Sequence, residues 1–185
     1  MTPPPRQTYT VKLAGLTREL PLFQVAPGVR IAIFNMLGDT EIVQAVSKEL
    51  SKRLPSQVQA LVTAEAKSIP LAYALSVETK LPYLVLRKSY KAYMGDALSA
   101  ETLSITTGEK QTLYLDEKDR ALVAGKSVAL VDDVISTGST LQGMQLIMEK
   151  AGARVITQTA VFTEGERAKW KNIIALGHLP LFTEG

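Results

Sequence analysis

The stretch Val128-Ala129-Leu130-Val131-Asp132-Asp133-Val134-Ile135-Ser136-Thr137-Gly138-Ser139-Thr140 decides the fold. Its first four residues are a short, unbroken apolar run, the pattern of a strand buried on both faces of a parallel sheet. Two adjacent carboxylates follow, then a turn rich in Ser, Thr and Gly. Leu141, Met144, Ile147 and Met148 then recur at helical spacing until Gly152 stops the helix. A strand over 127–131 and a helix over 140–151 are therefore predicted.

The same stretch carries chemistry. Ligands of open α/β sheets bind outside the carboxyl ends of the strands. The turn from Ser136 to Thr140 offers backbone N–H groups and hydroxyls at a helix start, which suits a phosphate monoester. Gly138 allows close backbone approach. Asp132 and Asp133 repel each other and lose hydration there. They make sense if polyhydroxyl donors or a divalent cation meet them. A ribose with two free hydroxyls and a 5′-phosphate supplies matching groups in one ligand.

Working outward, strands and helices alternate. Tyr9, Val11 and Leu13 alternate with polar residues, and Leu20 with Leu22 follows beyond Gly15, which predicts a hairpin. After the turn Ala26-Pro27-Gly28, Val29, Ile31 and Ile33 alternate toward Phe34-Asn35. Asp39 or Thr40 can cap a helix to about Leu54, with Ile42, Val43, Val46 and Leu50 on one face. Strands are read at 58–63, 83–86 and 155–162. A helix over 68–79 has Ser68 as its N-cap and Pro70 in its first turn. Residues 88–120 are polar and are read as a long mobile loop, with two weak strands, 103–106 and 111–115, joined at Gly108. Residues 1–7, with Pro3-Pro4-Pro5, are read as a flexible arm. The expected fold class is α/β, one domain over 1–185 with a mostly parallel central sheet flanked by helices.

Composition excludes several chemistries. The chain has no Cys, so thiolate zinc sites, disulfides and thiol nucleophiles are out. The one His, His178, cannot build a multi-histidine metal site and is expected to be structural or exposed; Trp170 is expected to anchor the C-terminal segment. No apolar run approaches the roughly 18 residues of a membrane span. The N-terminus lacks the apolar core of a signal peptide, and the cytosol is the default compartment. There are 21 Lys and Arg against 18 Asp and Glu, a net charge of +3 that is weak support for a nucleic-acid partner.

Residues Val128 to Thr140 resemble the phosphoribosyl pyrophosphate (PRPP) signature of the type I phosphoribosyltransferases. The resemblance implies that Asp132 and Asp133 hold the ribose hydroxyls, directly or through Mg²⁺. It implies that Ser136, Thr137, Gly138, Ser139 and Thr140 hold the 5′-phosphate. Glu65-Ala66-Lys67-Ser68 is similar to the pyrophosphate loop of adenine phosphoribosyltransferases, and Arg87-Lys88-Ser89-Tyr90-Lys91 to their Arg-Lys-Lys-Gly-Lys segment. Glu65, Ala66, Lys67, Ser68, Arg87, Lys88 and Lys91 are thus expected at pyrophosphate, with Asp132, Asp133 and Arg87 as the catalytic set. Pro27-Gly28-Val29 is similar to the lead-in to a base-covering hood, placed at 8–36 with the N-terminal hairpin.

The likeness departs at the base. The family's hood Phe-Arg falls on Ile31 and Ala32, its mobile-loop Glu on Thr106 or Thr107, and its pyrophosphate-loop Arg on Lys67. Ile31, Phe34, Asn35 and Val134 are the expected base contacts. The implied activity is transfer of 5-phosphoribosyl from PRPP to a purine, adenine first, by a Mg²⁺-dependent homodimer. A xanthine or other 6-oxopurine substrate, and a non-catalytic PRPP sensor, are the alternatives.

Overall fold

The computed structural model describes residues 6–103 and 110–183. Its centre is a five-stranded, wholly parallel sheet of β4 (Ala60–Ala64), β5 (Tyr83–Leu86), β8 (Ser127–Ile135), β9 (Arg154–Glu164) and β10 (Ile174–Leu179). Their spatial order is β10-β9-β8-β4-β5. Short apolar runs produce these strands because both faces are covered. Leu61, Ala129 and Val131 pack toward α1 (Thr40–Ser51) and α2 (Ile69–Thr79) on one side. Val62, Val128 and Leu130 join the core that contains Leu141, Met144, Ile147 and Met148 of α4 (Ser139–Lys150) on the other.

The helices follow their apolar stripes. Ile42, Val46 and Leu50 of α1 are fully buried, each contributing about 1.5–3 kcal/mol. Asp39 caps α1 by accepting from the Ile42 N–H at 3.1 Å. Arg18 of β2 (Leu16–Ala26) donates to the same carboxylate at 2.6 Å and 3.0 Å. This guanidinium holds Asp39 below the usual carboxylate range and clamps the N-terminal hairpin to the helix. The helix ends at Ser51, before the expected Leu54.

A second, antiparallel sheet has the order β1-β2-β3-β11, from β1 (Thr8–Leu13), β2, β3 (Val29–Ala32) and β11 (Phe182–Thr183). The expected hairpin is present, with Val11, Leu13 and Leu20 buried. Gln7, read as part of a free arm, is tied in. Its carbonyl accepts from the Leu22 N–H at 2.9 Å and its side-chain oxygen from Arg30. The C-terminal strands β10 and β11 have no counterpart in the sequence reading.

The stretch 88–120 also differs from expectation where it is described. β6 (Leu98–Leu103) and β7 (Lys110–Leu115) form an antiparallel pair, and Ala100, Leu113 and Leu115 are buried with the α4 face. The first strand starts five residues earlier than expected, because Leu98 and Ala100 supply its inward positions. A short 3-10 turn at Glu117–Asp119 and a four-residue helix α3 (Arg120–Val123) lead back to β8. Gly108, Thr106 and Thr107 lie outside the described residues.

Candidate active site

The sheet places the site. From β4 the chain moves outward to β5 in one direction and to β8, β9 and β10 in the other. The carboxyl ends of β4 and β8 therefore flank the point where strand order reverses, the position where open α/β sheets bind ligands. Pairing of β8 with β4 stops at Thr63↔Val131, while pairing with β9 continues through Ile135↔Thr163. The strand thus runs four residues past its expected end. The crevice opens at Asp132, on the β4 side.

Asp132 and Asp133 occupy this strand end, with Asp133 buried and Asp132 half-buried. The Asp133 N–H donates to the Asp132 carboxylate at 2.9 Å. Burial, then repulsion from Asp133, pushes the Asp132 carboxyl up to about 7. Among the described residues neither carboxylate forms an ion pair. Hydroxyl donors or a cation arriving with a ligand would relieve that cost. Among the described residues no three His, Cys, Asp or Glu side chains cluster as a metal site. Two carboxylates fit a hydrated Mg²⁺ only if the ligand supplies further oxygens.

Beyond Ile135 the chain turns through Ser136 and Thr137 to Gly138, the residue before α4. A recess of about 30 Å³ is lined there by Asp132, Val134, Ser136, Thr137, Gly138 and Thr140. The Thr137 and Ser139 hydroxyls lie 3.1 Å apart. Gly138 has φ +81°, and a Cβ there would sit 3.1 Å from the Trp170 ring. The positive φ favours glycine, and the Trp170 ring would have to yield to a Cβ as well.

On the β4 side, Glu65-Ala66-Lys67-Ser68 links β4 to α2, and the Glu65–Ala66 peptide is cis. Glu65 accepts from the Lys88 N–H at 2.9 Å and pairs with the Arg87 guanidinium, which also donates to the Tyr93 hydroxyl at 2.9 Å. The Tyr93 bond, then Glu65, raises the Arg87 pKa. The two expected pyrophosphate segments are therefore adjacent in space. Lys67, Lys88 and Lys91 are exposed beside them. Ser68 is buried and does not cap α2 with its side chain. Its hydroxyl instead bonds the Ala64 carbonyl at 3.3 Å and the Thr63 hydroxyl at 2.8 Å, leaving its N–H as the group a ligand could use.

Next to the Ser136–Thr137 turn is a cleft of about 910 Å³. Phe23, Val25, Val29 and Ile31 of β2 and β3 form one apolar wall; Trp170 and Leu181 line it too, with Glu164, Glu166 and Lys169 as its charged groups. Of the expected base contacts only Ile31 lines this cleft. Phe34 is 4% exposed and stacks edge-on against Phe162 in the core, with ring centroids 5.0 Å apart. Asn35 uses its side-chain oxygen to accept from the Leu37 N–H at 3.2 Å. Val134 lines the small recess at the Ser136–Thr140 turn instead.

Along this alternating segment Val29 and Ile31 line the cleft, while Ala32 and Phe34 face the core, which removes Phe34 from the expected base contacts. Trp170 anchors as expected, donating from Nε1 to the Glu164 carbonyl at 2.8 Å, and it lines the cleft as well. Glu164 and Lys169 carried no motif that could have marked them. His178 is half-buried, its Nδ1 2.9 Å from the Thr163 hydroxyl, and burial lowers its pKa.

Residues 35–176 match the phosphoribosyl transferase domain. The chain belongs to that family. This phosphoribosyltransferase is an enzyme of the pentosyl-transferring class. It is 33% identical over 150 residues to a hypoxanthine/guanine phosphoribosyltransferase of Methanococcus voltae, covering 80% of this chain and 73% of that one. A protein of the same name from Methanococcus vannielii is 32% identical over 138 residues, covering 75% and 69%. In fold, the phosphoribosyltransferase resembles the adenine phosphoribosyltransferase of Thermoanaerobacter pseudethanolicus. That match has a TM-score of 0.66 and 19% identity, and covers 93% and 95% of the two chains. The Giardia lamblia enzyme complexed with 9-deazaadenine aligns with a TM-score of 0.64 and 17% identity over 92% and 93%. At such identities these two likenesses concern the fold.

Proposed function

We propose that this phosphoribosyltransferase moves the 5-phosphoribosyl group of PRPP onto a ring nitrogen of a purine, with a 6-oxopurine ahead of adenine. The observation that carries the reading is the convergence of three subsites on one strand-order reversal: the carboxylate pair, the Ser136–Thr140 turn and the Glu65–Arg87 loops. The names of the relatives about one-third identical, and the absence of the hood Phe-Arg pair at Ile31 and Ala32, support the 6-oxopurine.

In this reading Asp132 and Asp133 accept from the ribose hydroxyls. Ser136, Thr137, Gly138, Ser139 and Thr140 bind the 5′-phosphate through hydroxyls and N–H groups at the start of α4. Residues 65–68, with Arg87, Lys88 and Lys91, hold the pyrophosphate. The C1′–oxygen bond to pyrophosphate breaks, a C1′–nitrogen bond forms, and the base proton passes to solvent. Positive charge develops at C1′, as at a glycosidic carbon. The basic loops stabilise the negative charge gathering on the leaving group. Mg²⁺, bound with pyrophosphate near Asp132 and Asp133, would add further neutralisation. The antiparallel sheet over 8–36 serves as the hood that covers the base and excludes water. A cytosolic homodimer completes the proposal.

The test is turnover of guanine, hypoxanthine, xanthine, adenine and orotate with PRPP and Mg²⁺. A 6-oxopurine should be used at least tenfold faster than adenine. Faster use of adenine would overturn the choice of base. Binding of PRPP without turnover of any purine would replace the enzyme with a sensor. Light scattering in solution checks the dimer.

A further inference from the structure

Glu164 is 7% exposed, yet it lines the cleft between the antiparallel sheet and Trp170. It ends β9, where the main chain pairs in register with Leu179. Its backbone carbonyl is engaged by Trp170, but its carboxylate receives no hydrogen bond or ion pair among the described residues. Glu166, also in the cleft, is different: it is exposed and pairs with Lys169 at 3.2 Å. The carboxylate itself sits at the cleft wall, partly desolvated and without a donor, and a ligand that supplies N–H groups there would replace the hydration it has lost. Burial accordingly raises its pKa.

The surroundings say what kind of donor fits. Phe23, Val25, Ile31 and Trp170 line an apolar slot suited to a flat heterocycle. An ionised carboxylate only accepts. Guanine presents two adjacent donors, N1–H and the N2 amine, and can engage both carboxylate oxygens. Hypoxanthine presents N1–H alone. Adenine places its N6 amine beside N1, an acceptor that a carboxylate repels. We propose that Glu164 is a specificity-determining residue that reads the N1–H and N2 amine edge of guanine, ranking guanine over hypoxanthine over adenine. This rests on the purine reading given above, and it goes beyond it by assigning the discrimination to one side chain at the end of β9.

The test uses nucleotide binding, which does not depend on turnover. Titration calorimetry of the full chain with GMP, IMP and AMP is run on wild type and on Glu164→Gln. Wild type should bind GMP tightest and AMP weakest. Glu164→Gln should weaken GMP about 10- to 100-fold, as expected for lost hydrogen bonds to a charged group, and IMP by less. AMP affinity should hold or rise, because the amide removes the carboxylate's repulsion of N1, and PRPP affinity should stay within twofold. Glu164→Ala should show the same order of losses, and both variants should melt no lower than wild type at pH 8, since each removes an unpaired buried charge. Equal losses for GMP and AMP, or wild-type selectivity retained in both variants, would overturn the proposal. GMP selectivity lost in Glu164→Gln, in a protein that turns over no purine, would uphold Glu164 as the reader while overturning the enzymatic reading alone.

Discussion

Asp132→Asn is predicted to stabilise the ligand-free protein while destroying its ligand site. The Asp132 carboxyl rises from 3.8 to about 7 on folding, through burial and repulsion by Asp133. The folded state then binds this proton more tightly than the unfolded chain. Its contribution is fully present below pH 3.8 and is lost as the pH climbs to about 7. The whole interval corresponds to about 4 kcal/mol. Solvent at the half-buried strand end reduces the realised cost to about 1–2 kcal/mol.

Asparagine is neutral, nearly the same shape, and still accepts from the Asp133 N–H. At pH 8 the variant should therefore gain about 1–2 kcal/mol, or roughly 2–8 °C in Tm for a chain of this size. At pH 5 about one-third of the gap should remain. The assay is thermal and urea unfolding by circular dichroism, in chelator and without ligand, at pH 5 and pH 8. PRPP affinity of the same variant should fall at least tenfold. A variant less stable than wild type at pH 8, or a gap that does not change with pH, would refute the reasoning.

Other consequences can be checked together. Gly138→Ala forces φ +81° on a residue with a Cβ and drives it to 3.1 Å from Trp170, so it should cost about 1–3 kcal/mol in urea unfolding and weaken PRPP at least tenfold. Trp170 is the sole tryptophan and touches that turn, so its fluorescence should change on PRPP addition, and Gly138→Ala should abolish the change. Phe34→Ala should lose about 3–5 kcal/mol of stability, while Phe34→Leu should leave base preference unaltered; a switch in preference would return Phe34 to the base site. Arg87→Ala should alter Tm little, because its ion pair is partly exposed, but should weaken pyrophosphate binding at least tenfold by calorimetry.

The parallel-sheet core and the ribose-phosphate half of the site were legible because their signals are local. The apolar runs Val128–Val131 and Ala60–Val62, the glycine at the α4 N-cap and the stripe of α4 each lie within a few consecutive residues. Helix ends were less exact, since Lys52–Leu54 carries no stop signal before Pro55. The base half was not legible. Ile31 and Phe34 lie on strand-like stretch of alternating pattern, and either face could have been inward. The choice was made by Phe162, whose ring meets Phe34 from a strand far along the chain.

The chain alone therefore determined which short segments become strands and helices, and which carboxylates and hydroxyls stand at a strand end. These follow from periodicity, capping and the cost of unpaired charge, all of which act over a few residues. Only the tertiary structure decided what the cleft beside them is made of. Pairing of β11 with β3 brings Leu181 beside Ile31, and pairing of β10 with β9 brings Trp170 and Glu164 to the same cleft. Such long-range pairing fixes the face each side chain presents, because a strand has two faces and its partners select the one that is buried.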